Sequence, residues 1–261
     1  MHAAVKWGLG GAVLAGVLAL AAFPAPIGLA MARLAIDARA GVDATQELPE
    51  GLHVALCGSG SPLPNPTRAG PCSVVIAGKH VFVVDAGEGG ARNMTLMRIP
   101  NGHVEAVFLT HLHSDHIDGL GPMMLLRWTG ANATVPLPIY GPAGTERVVA
   151  GVNEAYAIDG GYRTAHHGPA IAPPSGRGGT AYPFALPPKG DGTPVTVFQR
   201  DGLTVTAFRV DHGPVDPAVG YRFDYKGRSI VFSGDTAPTP LLVRNARGAD
   251  LLVHEGLQPR L

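Results

Sequence analysis

The sequence has no surplus of charge: 20 Lys and Arg balance 20 Asp and Glu, for a formal net charge of +0. That balance argues against a nucleic-acid-binding tail and against a strongly polarised surface. It also has no internal repeat and no heptad run, which sets aside solenoids and coiled coils. Cysteine is scarce, with only Cys57 and Cys72. What is plentiful is apolar: 46% hydrophobic over 261 residues, enough for one sizeable core and short for two. The 36 Gly and 24 Pro lie between apolar segments rather than in one block. They read as turns joining short elements, not as disorder.

The N-terminus stands apart. After Lys6 the segment from Trp7 to Phe23 carries no charge, and a second apolar stretch runs from Ile27 to Ala32. A charged start, an apolar run and small-residue sites such as Ala30-Met31-Ala32 fit an export signal. The uncharged run is slightly short of the ~20 residues that a membrane span needs. Residues 1–36 are therefore expected to be a signal peptide or a membrane anchor. The expected location is periplasmic or secreted, or anchored in the inner membrane. Cys57 and Cys72 flank the loop from Gly58 to Pro71. A disulfide between them and two unrelated buried thiols both fit that spacing.

A regular pattern begins near Leu52. Short β-rich runs at Leu52–Cys57, Ser73–Ala77 and His80–Val84 are separated by Gly and Pro turns. Ala91–Ile99 reads as a helix, and Val104–Thr110 as an apolar strand. Helical spacing follows over Ile117–Trp128, then a strand at Val135–Tyr140 and a helix at Ala143–Ile158. Residues 160–192 are Gly/Pro-rich and read as a long irregular loop shaping a site. Strands at Val195–Gln199, Leu203–Val210, Ala218–Tyr225 and Ser229–Phe232, a helix at Thr239–Ala246 and a strand at Asp250–His254 complete an α/β layered domain over residues 50–261.

The chemistry is concentrated in His111-Leu112-His113-Ser114-Asp115-His116, immediately after an apolar strand. A chain leaving a strand projects alternate residues to one side, so His111 and His113 can share one metal while Asp115 and His116 face a second. Imidazole and carboxylate suit Zn²⁺, and also Fe or Mn. A lone histidine is usually structural; three histidines and an aspartate in six residues reverse that weighting. His166 and His167 are weaker candidates, better suited to substrate contact. His53, His80 and His103 read as surface, strand-edge or turn residues.

The cluster matches the HxHxDH signature, and the chain resembles the metallo-β-lactamase superfamily in further motifs. Leu56-Cys57-Gly58-Ser59-Gly60-Ser61-Pro62 is similar to the glycine-rich turn of its RNase Z-like and arylsulfatase-like branch. Val83-Val84-Asp85-Ala86-Gly87-Glu88 resembles the early aspartate motif. Val210-Asp211-His212-Gly213 with Gly220-Tyr221-Arg222, Ser233-Gly234-Asp235-Thr236, and Leu252-Val253-His254-Glu255 resemble the later ones. The resemblance implies an αββα sandwich and a hydrolase working through a metal-bound hydroxide shared by two Zn²⁺ ions. His111, His113 and His212 would hold the first ion. Asp115 and His116 would hold the second, with Asp235 bridging and Asp115 also counted as catalytic. Asp85 would fix a ligand imidazole. His254 would protonate the leaving group, with Glu255 orienting it.

Two departures shape the expected substrate and shell. The tRNA-processing members carry an arm between the Gly-Tyr-Arg and Gly-Asp-Thr segments, where this sequence has only a short hairpin through Tyr225-Lys226-Gly227-Arg228. With no basic surface either, the expectation sets nucleic acid aside and favours a small-molecule phosphodiester or sulfate ester. A tRNA 3′-processing endonuclease and a non-catalytic metal-binding domain stand as alternatives. The family pattern also continues past the His-Glu pair to a final metal histidine, whereas this sequence ends at Leu261. The resemblance therefore implies a sandwich truncated at the C-terminus, about one metal per chain and little activity.

Overall fold

Apolar side chains on both faces of the central strands are buried, as along Cys72–Ala77 and His80–Val84, and two stacked sheets result. The protein is described here by a computed structural model covering residues 28–31, 33–34, 42–63 and 65–256. The chain divides into two units, Met1–Asp43 and Ala44–Leu261. The signal or anchor expected at residues 1–36 lies outside the described residues, apart from 28–31 and 33–34. Among the described residues no helix is long and apolar enough to cross a membrane.

The first sheet holds β1 (Leu52–Gly58), β2 (Cys72–Ala77), β3 (His80–Val84), β4 (Val104–Phe108), β5 (Leu137–Gly141) and β6 (Gly179–Pro183), in that spatial order. Pairing is antiparallel from β1 to β3 and parallel from β3 to β6. The second sheet holds β7 (Val195–Arg200), β8 (Leu203–Arg209), β9 (Val219–Tyr225) and β10 (Arg228–Phe232), antiparallel, with β11 (Leu251–Val253) parallel to β10. The helices are α1 (Gly90–Leu96), α2 (Ser114–Ile117), α3 (Leu120–Gly130), α4 (Thr145–Ala155), α5 (Ala157–His167) and α6 (Pro240–Ala246).

Strands β2 and β3 show how the layers form. Val74, Ile76, Val81 and Val83 meet Met94 of α1, Leu120 and Met123 of α3 and Val149 of α4. The alternate residues Val75, Phe82 and Val84 point the other way, against Val205, Tyr221 and Phe223 of the second sheet. On its outer face that sheet packs Phe208 and Val231 against Leu242 of α6. The order helix, sheet, sheet, helix is the αββα sandwich that the resemblance implies. Cys57 and Cys72 are joined by a disulfide across the start of the β1–β2 pair.

Phe108 anchors the space between the sheets. It is fully buried, with the rings of Phe82, Tyr140, Phe198, Tyr221 and Phe223 at centroid distances of 6.1, 5.2, 5.9, 5.5 and 5.4 Å. Phe108→Ala should therefore lower unfolding stability by about 3–5 kcal/mol, measured as a fall in the denaturant midpoint without a change in slope.

Residues 160–192 are more ordered than their composition suggests. The first part continues as α5, steadied by the Asp159–Arg163 pair one turn apart at 2.8 Å, and residues 179–183 form β6. Gly160 is buried because the Arg177 side chain occupies the place of a Cβ, whose ideal position lies 2.1 Å from Arg177 Cδ. The Asn153 side-chain amide bonds both the N–H and the carbonyl of Gly179, replacing a strand neighbour for β6. The helix predicted over Ile117–Trp128 is in turn split at Gly119, into α2 and α3. A Cβ there would sit 2.2 Å from the carbonyl of Gly87.

Candidate metal centre

Every candidate residue follows the C-terminal end of a strand, so the strand ends converge on one rim of the sandwich. Asp85 follows β3, and His111 to His116 follow β4. His212 follows β8, Asp235 follows β10, and His254 and Glu255 follow β11. Two loops are laced together there: Thr236 Oγ1 accepts from the Asp211 N–H at 3.0 Å, and the Ala237 N–H donates to the Asp211 carbonyl at 2.6 Å. His212 and Asp235 are thereby held on facing loops.

Among the described residues, two ligand sets come together. One contains His111, His113 and His212, and the other His111, His116 and Asp235; within each set the ligand atoms lie within 4.8 Å of one another. His111 belongs to both. His111 Nε2 lies 3.0 Å from His113 Nδ1, which lies 3.3 Å from His212 Nε2. His116 Nε2 is 3.5 Å from Asp235 Oδ1 and 3.6 Å from Asp115 Oδ2. Burial is graded, from His111 and His116 in the floor to an exposed His113 at the mouth.

Hydrogen bonds behind the rings set their tautomers. Asp85 adopts a left-handed backbone, φ 59°, unusual for a non-glycine residue. Its carboxylate accepts from the Thr110 N–H at 2.8 Å and from the Thr110 hydroxyl at 2.9 Å, and it lies 2.9 Å from His116 Nδ1. Because the Thr110 hydroxyl donates to Asp85, its oxygen accepts from His111 Nδ1 at 3.1 Å. Both rings then present Nε2 to the centre. His116 Nε2 is buried and has no hydrogen-bond partner among the described residues. Nitrogen lone pairs and carboxylates converging at this spacing suit a cation, so the residues present fit a metal.

Electrostatics separate the two buried histidines. Burial, reinforced by the neighbouring His116 charge, lowers His111 to about 4. Burial also works against the charged form of His116, but Asp85 and Asp235 outweigh it and raise the ring to about 10. The Asp235 carboxyl is held below its usual range, first by its contact with His116. At pH 7.5, below about 10, His116 is thus protonated in the metal-free protein, and it must lose that proton to offer Nε2 to a metal. Zinc binding should release about one proton from this ring, and affinity should rise with pH up to about 10. Calorimetry in buffers of different ionisation enthalpy measures the proton count, and His116→Asn should remove that proton.

His254 and Glu255 are arranged differently from the expectation. The Glu255 carboxylate accepts from the Thr236 N–H, next to Asp235, and so steadies the Asp235 loop rather than His254. His254 is exposed, with Nδ1 2.7 Å from the Glu255 main-chain carbonyl. His166 and His167 pack edge to face at the end of α5, outside both ligand sets. Two further residues belong to the centre. Thr110 couples Asp85 to His111, and Tyr221, fully buried, donates from its hydroxyl to the Leu109 carbonyl at 2.7 Å, tying β4 to the second sheet just before the cluster. Thr110 was legible only as the residue preceding the histidines.

The chain is similar to known proteins. Residues 80–260 match a family described as a beta-lactamase superfamily domain. The chain is 42% identical over 205 residues to a ribonuclease Z of Mycobacterium avium, covering 78% of this chain and 69% of that relative. The short form of human tRNase Z superposes with a TM-score of 0.61 at 22% identity, covering 76% of each chain. Zn²⁺-bound PqqB of Methylobacterium extorquens superposes with a TM-score of 0.53 at 17% identity, covering 78% of this chain and 72% of that one. The ribonuclease relative overturns the expectation that nucleic acid is disfavoured and that a small-molecule ester is the partner. The error has a physical source: net charge averages the whole surface and says little about what one site can engage.

Proposed function

Since this chain belongs to the metallo-β-lactamase superfamily, we propose that it is a zinc-dependent, RNase Z-like endonuclease that hydrolyses a phosphodiester at the 3′ side of tRNA precursors. The observation that carries this reading is the pair of ligand sets sharing His111, in a chain 42% identical to a ribonuclease Z.

In this reading His111, His113 and His212 would hold one ion. His116, Asp235 and the neighbouring Asp115 would hold the second, with His111 in reach of both sets. The chemistry such ions supply when bound is a lowered pKa for water and neutralisation of charge on the phosphoryl oxygens. The chain's own groups do the rest. Asp85 accepts the His116 Nδ1 proton and the Thr110 hydroxyl proton, so that Nε2 of both buried rings faces the centre, where that of His116 gives up its proton on metal binding. Asp235 and Asp115, 3.5 and 3.6 Å from His116 Nε2, supply negative charge that favours a cation there. Glu255, through the Thr236 N–H, keeps the Asp235 loop in place. His254, its Nδ1–H turned to the Glu255 carbonyl, would take up a second proton at Nε2 and hand that proton to the leaving oxygen.

The test is incubation of a precursor tRNA carrying a 3′ trailer, with the cut mapped by sequencing. One cut beside the discriminator end, lost with a chelator, is expected. Cleavage scattered along the chain, or none while bis(p-nitrophenyl) phosphate is hydrolysed, would reject the tRNA reading.

A further inference from the structure

The Cys57–Cys72 disulfide has no part in the reading above, yet it closes the base of a loop that walls the metal centre. The two cysteines are 1% and 2% exposed, with Cα atoms 5.0 Å apart, inside the helix-side core. Residues 58–71 leave β1 and return to β2. Their legs are joined by the Gly60 N–H to the Ala69 carbonyl at 2.7 Å. The returning leg is tied to the Asp85 turn by the Gly70 N–H to Glu88 at 2.9 Å and the Gly87 N–H to Pro71 at 2.9 Å. That turn supports the ligands directly, since the Ala86 N–H donates to the His116 carbonyl at 2.9 Å. Packing is tight: a Cβ on Gly87 would lie 2.4 Å from the Asp115 carbonyl and 2.7 Å from Pro71 N. Beyond this base, Ser61, Asn65 and Arg68 of the loop share the lining of a cavity of about 260 Å³ with Ser114 and Asp115.

From this placement we infer that the Cys57–Cys72 disulfide is a positioning device for substrate: it fixes the 58–71 wall beside Asp115, and the oxidised protein is the fully competent form. The inference rests on the RNA reading for its substrate. With the bond broken, the outgoing leg loses its covalent tie to β2 and the loop samples more conformations. Ordering it again when RNA binds then draws on binding energy, so affinity falls while the chemistry at the metal centre persists.

A water-soluble phosphine makes the comparison in the native protein. Phosphorus takes the oxygen of one water and becomes the phosphine oxide, and that water's two protons end on the Cys57 and Cys72 sulfurs. Once thiol titration shows the bond broken, KM for a 3′-extended RNA should rise about tenfold, with kcat within about twofold. Cys57→Ala/Cys72→Ala should behave like the reduced protein and ignore the phosphine. Exchange of the Gly60 and Gly70 amides should accelerate at least about tenfold, with the β4 amides unchanged. An unchanged KM, or a kcat loss without a KM change, would overturn the inference. If the double variant fails to fold, the reduced native protein decides. If the intact protein cuts no RNA, the RNA reading fails on its own, and unchanged exchange at Gly60 and Gly70 would then overturn this inference separately.

Discussion

His111→Ala should be the most damaging single change at the centre, lowering kcat/KM by about a thousandfold or more. The reason is geometric: His111 is the one side chain common to both ligand sets. His113→Ala removes a ligand from one set only, and from its exposed end, where a water can take the vacated position. The ratio between the two variants is therefore diagnostic. His111→Ala also leaves Thr110 without the ring that it hydrogen-bonds, but Asp85 still satisfies the Thr110 hydroxyl, so the fold should survive. Steady-state kinetics with bis(p-nitrophenyl) phosphate and with RNA, beside a thermal melt of each variant, reads the effect. Equal losses for His111→Ala and His113→Ala would contradict the shared-ligand geometry.

Asp235→Ala should follow closely, with a loss of about a hundredfold to a thousandfold. Its carboxylate sits 3.5 Å from His116 Nε2, and the His116 contact is what chiefly lowers its pKa. Removing it withdraws one of the negative charges that favour a cation there and leaves His116 to Asp85 and Asp115. The His116 proton should then be held less tightly, because Asp235 is among the groups that raise it. Asp235→Asn keeps the shape without the charge and separates the two effects. If the asparagine variant retains near-native activity, charge at this position is not what the reaction needs.

The parts of this account that were legible in the sequence are those whose chemistry is contiguous. His111 to His116 announce themselves because four ligand-type residues follow one apolar strand within six positions. Asp85, His212 and Asp235 were legible only through resemblance, since each comes from a different strand end and none has a ligand-like neighbour on both sides. Thr110 and Thr236 were not assigned roles, because what each does depends on a partner 25 residues away, Asp85 and Asp211. The stretch after Gly160 was misread for a related reason. A Gly-Gly pair reads locally as a turn, and only the packed Arg177 side chain explains why Gly160 belongs inside a helix. Nucleic acid was set aside because absent charge and an absent arm were given weight, although both are properties of the periphery; the ribonuclease relative overturns that expectation.

The most direct test is to strip the protein with a chelator, add zinc stepwise, and follow metal binding and cleavage of a 3′-trailer tRNA precursor in the same samples. The stripped protein should show no cleavage, and cleavage should rise in step with zinc bound at the His111 cluster. His111→Ala should show neither binding nor recovery at the same zinc levels. Cleavage by the fully stripped protein, or by a His111→Ala variant shown to hold no zinc, would contradict that expectation.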